Sequence, residues 1–266
     1  MTDEEFKQHV ENLMKNQVFS YSRLKLFEGC PFRWYLKYVE NHEEIDSMPL
    51  MLGKAVHKAI EEKLLGKSDK EALLQGWKEV DYYAIDLVEY ETLFQRANVV
   101  RGDALRPNTE VEKHFIFPLD GDGSPKLQGF IDMVQQIFGT HSFTDWKSNR
   151  LKYEPMDNMQ LALYAWALSI IYNVPKVTGT LFFLRFFKDN AKSQLFTKVE
   201  MEEARSWALD LANEIQGNLE KHFLQHMPLE ECFPAKGNPG CSNCPFAIRC
   251  SVQYPNILKS EGVFVL

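Results

Sequence analysis

Residues 129–147 read GFIDMVQQIFGTHSFTDWK. The run reads as two strands, near 127–137 and 141–147, joined at Gly139-Thr140. One acid stands in each, Asp132 and Asp145. If the strands are neighbours in one sheet, both carboxylates project to one edge, and Lys147, two residues past Asp145, shares its face. A third strand-like run, 111–117, stops at Pro118. The turn residues Asp120-Gly121-Asp122-Gly123-Ser124-Pro125 then announce a hairpin.

Outward from this centre the period changes to that of helices. Residues 3–15 read as a short amphipathic helix, Ser20 or Ser22 caps a second that runs to Gly29 and Cys30, and a third starts at Pro31. From about 52 to 65, Leu52, Val56, Ile60 and Leu64 recur every four residues, and this helix carries His57. The stretch 69–100 is helical as well and polar enough to be a peripheral insertion. Downstream come an apolar helix at 156–172, strands at 176–186 and 194–199, and a long amphipathic helix at 201–224. The order implies an α/β or α+β sheet packed by helices, with a cysteine-bearing tail.

A chain of 266 residues with 45% hydrophobic content can bury a sizeable core, and one domain is expected. There is no apolar run long enough to span a bilayer, and the N-terminal MTDEEFKQHVENLMKN is acidic rather than a signal peptide. A cytoplasmic, non-membrane protein is therefore expected. The formal net charge of −7 excludes a uniformly basic nucleic-acid surface. It leaves open a site where carboxylates hold cations and the cations meet phosphate. At Gly66-Lys67-Ser68 the first glycine of a phosphate loop is replaced by Glu61, so no NTP is expected.

Four short features carry the chemistry: Gly53-Lys54-Ala55-Val56-His57 on a helix, Gly129-Phe130-Ile131-Asp132 on a strand, Asp145-Trp146-Lys147 ending the next, and Gln160-Leu161-Ala162-Leu163-Tyr164 on a helix. Alone, an Asp-x-Lys is most often a solvated surface pair, His57 a polar helix residue, and Gln160 with Tyr164 the edge of a core. Their order gives them weight. Phosphodiester hydrolysis uses hard cations with oxygen ligands, which Asp132 and Asp145 supply, and His57 would complete the shell and favour manganese somewhat over magnesium. Lys147 would meet the developing phosphorane charge. Gln160 and Tyr164, at i and i+4, would contact DNA or brace the lysine. Glu112 is a weaker accessory acid, more simply an exposed strand residue.

The set resembles the RecB-like branch of the PD-(D/E)XK nucleases, whose motifs are G-x-x-x-H, G-x-x-D, (D/E)-x-K and Q-x-x-x-Y. The resemblance implies a restriction-endonuclease-like fold, a central mixed sheet flanked by helices, and magnesium or manganese at the site. It adds the backbone carbonyl of Trp146 as a metal ligand and assigns catalysis to Asp132, Asp145, Lys147, Gln160 and Tyr164.

Cys241-Ser242-Asn243-Cys244 with Cys250 gives C-x2-C-x5-C, and Cys30 lies far upstream. Four thiolates suit a tetrahedral zinc or an iron–sulfur cluster, and ligand type alone does not choose. One cysteine before the nuclease motifs and three after resemble the iron–sulfur nucleases, the AddB nuclease domain and the CRISPR-associated RecB-like exonucleases. That resemblance implies a 4Fe-4S cluster stapling the N- and C-terminal segments, with zinc the lesser alternative. It covers nearly all of 1–266 as a single nuclease domain, with a helical insertion at about 67–108 and a cluster-binding segment at about 230–252. Cys232 is the odd one out, a packed thiol. The stripe Arg23, Lys25, Arg33, Trp34, Tyr35, Lys37 suits either a single DNA strand or an amphipathic helix with snorkelling arms.

The expected function is a stand-alone DNA exonuclease acting on ends or single strands in replication, recombination or repair. Its partners are DNA and, by the same resemblance, a second copy of the chain or recombination proteins. The rivals are a scaffold or DNA-binding protein that has lost catalysis, and a zinc-stapled structural protein.

Overall fold

In the computed structural model, which describes residues 2–44, 47–137 and 139–254, the elements in chain order are α1 (Asp3–Lys15), β1 (Val18–Phe19), α2 (Tyr21–Gly29), α3 (Pro31–Tyr38), α4 (Met48–Leu64), α5 (Asp69–Glu79), α6 (Leu87–Arg96), β2 (Thr109–Pro118), β3 (Lys126–Ile137), β4 (Thr140–Lys147), α7 (Gln160–Tyr172), β5 (Val177–Phe183), β6 (Ala191–Phe196), α8 (Lys198–Phe223), α9 (Leu229–Cys232) and α10 (Ala247–Gln253). Among the described residues the strands form one mixed sheet of six, in the order β1-β3-β4-β5-β6, with β2 also paired to β3. The chain clusters into two compact units, one of Met1–Ile45, Phe117–Gln128 and Ser206–Leu266, the other of Asp46–Ile116 and Gly129–Arg205.

The second unit holds most of the sheet. β3 and β4 are antiparallel, from Ile137↔Thr140 to Met133↔Thr144. β4 and β5 are parallel, from Ser142↔Thr178 to Lys147↔Phe183, and α7 supplies the crossover that a parallel pair requires. Phe143 and Trp146, three apart on one strand, point to opposite faces. Trp146 joins the core of α4, with Met133 and Leu184. Phe143 meets α7, its ring 6.0 Å from that of Tyr164. Helices therefore cover the sheet of this unit on both faces, as a restriction-endonuclease-like fold requires.

The stretch 69–100 is not peripheral. Ala72, Val80, Ile85, Tyr90, Leu93, Phe94 and Ala97 are buried in the same core as Leu52, Val56, Ile60 and Leu64 of α4. Its polar residues lie on the outside of helices whose inner stripes are apolar. Several boundaries also differ from expectation, β5 among them, which ends at Phe183 rather than 186. α7 begins at Gln160 rather than 156, because Asn158 Oδ1 takes the Gln160 N–H at 3.0 Å while Asp157 turns back to the Glu154 N–H at 2.6 Å. The last strand runs 191–196 rather than 194–199, because the Thr197 N–H donates to Glu200 Oε2 at 2.8 Å and the Val199 N–H to Thr197 Oγ1 at 3.4 Å, bonds that start α8 there.

In the first unit, β1 runs parallel to the start of β3 at Lys126 and Leu127, a two-residue strand too short to leave a periodic signal. Ser20 caps α2, and Pro31 occupies the first turn of α3. Trp34 is fully buried and stacks on Phe233 with rings 6.0 Å apart. The basic and aromatic stripe is accordingly structural. The Arg23 guanidinium lies against the rings of Phe19, Trp34 and Tyr38 and donates to the Val18 carbonyl at 3.1 Å. Arg33 and Lys37 both pair with Glu44, and Lys25 with Glu28. Among the described residues no helix is long and apolar enough to cross a membrane.

α4 and α5 cross closely at Gly76. A Cβ added at Gly76 would stand 2.3 Å from the Ala55 carbonyl oxygen and 2.2 Å from the Tyr90 hydroxyl. Helix propensity alone favours alanine over glycine by about 1 kcal/mol. Overpacking against backbone costs about 1–3 kcal/mol. Gly76→Ala is therefore expected to lower the urea midpoint, whereas an unchanged or raised midpoint would show that the helices separate freely.

Candidate active site

Beyond Met133 the paired register of β3 with β4 ends. There the Trp146 N–H donates to the Asp132 carboxylate, Oδ2, at 2.8 Å. The other oxygen, Oδ1, is 3.4 Å from Nδ1 of His57 on α4. The helix comes close because Gly53, one turn before His57, has no side chain: a Cβ there would sit 3.2 Å from Ser148 Oγ.

From β4 a second chain of contacts runs to α7. Lys147 Nζ stands 2.6 Å from Asp145 Oδ2 and donates to Gln160 Oε1 at 2.8 Å. Gln160 Nε2 in turn donates to the Tyr164 hydroxyl at 3.1 Å. The Tyr164 ring is wedged edge-on between Phe115 and Phe143. Gly129 makes room for it, since a Cβ at that position would lie 2.8 Å from Phe115 and 3.2 Å from the Tyr164 ring. The glycine of one motif and the tyrosine of another thus pack against each other.

His57, Asp132, Trp146 and Lys147 line one cleft of about 440 Å³, together with Pro49, Leu50, Gly53, Lys54, Glu112, Ser148 and Asn149. Asp145 lies just behind Lys147 and is buried, as is Asp132. Gln160 and Tyr164 support the lysine from within. All the residues singled out in the four motifs are brought together.

Glu112 is more than an exposed strand residue. Its φ of +49° is unusual for a non-glycine in mid-strand, and the side chain lines the cleft. Burial, with Asp132 and Glu61 nearby, pushes its carboxyl up to about 7. The sequence around it, Val111-Glu112-Lys113, carries no mark of that backbone kink. Tyr153, beside Lys147, was also not foreseen and comes from an irregular loop.

Electrostatically the site is short of positive charge. Burial works against a charged His57, but Asp132 and then Asp145 outweigh it and raise the imidazole to about 9. Burial likewise opposes the Lys147 ammonium, and Asp145 more than restores it. Between the two carboxyls the balance splits. Burial would raise Asp132, yet His57 and the Trp146 N–H hold it low, whereas burial and the nearby Asp132 lift Asp145 despite Lys147. Two buried acids that repel each other ionise together only with positive charge beside them, here the His57 imidazole and the Lys147 ammonium.

As placed, these side chains pair with one another, and among the described residues no three His, Cys, Asp or Glu stand close enough together to hold a metal. The donor set nevertheless fits a hard divalent ion. It offers two carboxylates and an imidazole, and Asp145 Oδ2 is buried without a hydrogen bond, its ion pair with Lys147 aside.

In the first unit, Cys30, Cys241, Cys244 and Cys250 line one small cavity of about 30 Å³, with Arg33, Lys236 and Asn238 at its wall. None is in a disulfide. Burial and the other three thiols push Cys250 up to about 11, so four thiolates here would require a metal charge among them. The Asn238 N–H already donates to Cys241 Sγ at 3.4 Å. Cys232 does not line that cavity and is buried.

No curated protein matches the sequence. Among solved structures the chain is similar to SSO0001, with a TM-score of 0.43 and 13% identity over 93% of this chain and 94% of that one, a likeness too loose to bear on the site. The family model of the PD-(D/E)XK nuclease superfamily, in contrast, matches residues 18–251, a span that takes in every residue of the cleft. The chain belongs to the PD-(D/E)XK nuclease superfamily.

Proposed function

We propose that the chain is a DNA exonuclease of the RecB-like branch, dependent on magnesium or manganese, that works on single strands or duplex ends in replication, recombination or repair. The observation that carries the reading is the single cleft lined by His57, Asp132, Trp146 and Lys147, with Asp145 behind it. His57, Asp132, Asp145 and the Trp146 carbonyl would hold the metal, which polarises a phosphoryl oxygen and lowers the pKa of an attacking water. Asp132 is oriented for this by the Trp146 N–H. Lys147 keeps its proton and donates to the phosphorane as its charge develops. Gln160 and Tyr164 hold that ammonium at its post.

The reading takes the two units as one nuclease domain, because the chain passes between them four times and neither is a continuous segment. It also takes Cys30, Cys241, Cys244 and Cys250 as ligands of a 4Fe-4S cluster, supported by their common cavity. Such a staple belongs in a reducing compartment, in keeping with five free cysteines.

End-labelled DNA should be degraded with manganese and left intact with chelator. Lys147→Ala and Asp132→Ala should each lower turnover by at least roughly 10²-fold, the scale of losing one transition-state donor. Full activity in either would remove the site assignment. Gln160→Ala leaves the lysine in place but unbraced, so its loss should be smaller than that of Lys147→Ala, with folding unchanged by circular dichroism.

Anaerobically purified protein should be brown, with iron and sulfide in equal amounts. Cys30→Ser should lose that colour and lower the thermal midpoint. Colourless protein that contains zinc would instead establish the alternative metal.

A further inference from the structure

The turn between β5 and β6, Leu184-Arg185-Phe186-Phe187-Lys188-Asp189-Asn190, exposes 85% of Phe187. A single exposed phenylalanine needs no explanation. This one is held in place. The Arg96 guanidinium lies 5.1 Å from its ring centroid, leaving the ring otherwise exposed, and Arg96 is itself fixed by a 3.0 Å bond to the Arg185 carbonyl. The turn is tied to the residues that follow β4. Leu184 N–H donates to the Lys147 carbonyl at 2.9 Å, and Arg185 Nε to that of Ser148 at 2.5 Å. Lys152 reaches the carbonyls of Lys188 and Asp189 at 2.9 and 2.8 Å and sits over Phe186. Lys147, Ser148 and Asn149, at the start of this tied segment, line the cleft.

The turn and the segment bonded to it carry several cations, with exposed Asp189 among them. The Arg185 charge is met by Glu89. Arg150 and Lys188 are exposed and, among the described residues, in no ion pair, while Arg96 is spent on the ring. An exposed aromatic ring held by Arg96, next in the chain to Lys188 and on a turn bonded to the segment that lines the cleft, matches a strand whose bases are unpaired, because a base in a duplex interior offers no free face.

Resting on the nuclease reading above, we propose that this turn grips the substrate, with Phe187 stacked on a nucleobase of single-stranded DNA and Arg150 and Lys188 on its phosphates.

The test is fluorescence anisotropy of labelled oligo-dT with the full chain, in chelator so that nothing is cut. Phe187→Ala should weaken binding by roughly 5- to 150-fold, the range for losing one stacked base. Phe187→Trp should restore it, and Phe187→Leu, which keeps apolar area but no ring, should not. Lys188→Ala and Arg150→Ala should each flatten the dependence of log Kd on log salt by about 0.7, the value for one phosphate contact on a single strand. The thermal midpoint should be unchanged in all of them. Wild-type protein that binds and degrades DNA while Phe187→Ala binds equally tightly overturns the stacking proposal alone. Equal rescue by leucine overturns it too, pointing to an apolar protein contact. Wild-type protein that neither binds oligo-dT nor cuts any DNA overturns the nuclease reading on which it rests.

Discussion

Where β3 and β4 part, the N–H of Trp146 is satisfied by the Asp132 carboxylate and not by a strand carbonyl. Left unpaired in the interior, such an N–H costs about 1–3 kcal/mol. The backbone therefore fixes the acid as firmly as the acid completes the backbone. Much of the site follows from this exchange. Asp132 is held low, His57 is drawn to it, and Asp145, buried beside that charge, is pushed up despite Lys147.

The lysine is placed from the opposite direction, by the core. Phe115 and Phe143 hold the Tyr164 ring, Tyr164 holds Gln160, and Gln160 accepts from Lys147. Packing thereby sets the position of a charged group at the cleft, since a ring in a close-packed interior cannot shift without opening a void. Gly129 belongs to this same device: any side chain there would displace Phe115 or Tyr164 and, through them, the ammonium. Gly53 does the corresponding work for His57 against Ser148. The two motif glycines have positional reasons, and neither requires a special backbone conformation.

Those motifs were legible in the sequence because each combines a residue type with a spacing that one secondary structure turns into proximity: i and i+2 on β4, i and i+4 on α7. What was not legible has a different origin. Glu112 reaches the cleft through a positive φ, which a glutamate does not announce. Gly76 permits a helix crossing that leaves no periodic trace. The polar composition of 69–100 suggested a peripheral insertion, but its apolar stripe on α5 and α6 completes the core of α4. Arg23 to Lys37 resembled a strand-binding surface in one dimension, yet its arginine is sandwiched among rings and its other cations are neutralised by Glu28 and Glu44. Ion pairing across a fold decides whether a basic residue is available, and a linear reading does not see it.

The cysteines pose the same problem at longer range. Cys30 sits between α2 and α3, where its backbone ends one helix and begins the next, and its side chain takes no part in capping. The other three come from a 3₁₀ turn and the short α10, elements too small to hold position by their own hydrogen bonds. A ligand that joined them would close a loop of about two hundred residues, and the entropy of closing a loop rises only slowly with its length. Because the fold alone gathers the four thiols, its binding free energy would add to that of folding. β3 and α8 each run through both units, so the strand that bears Asp132 is covalently continuous with the cysteine-bearing unit.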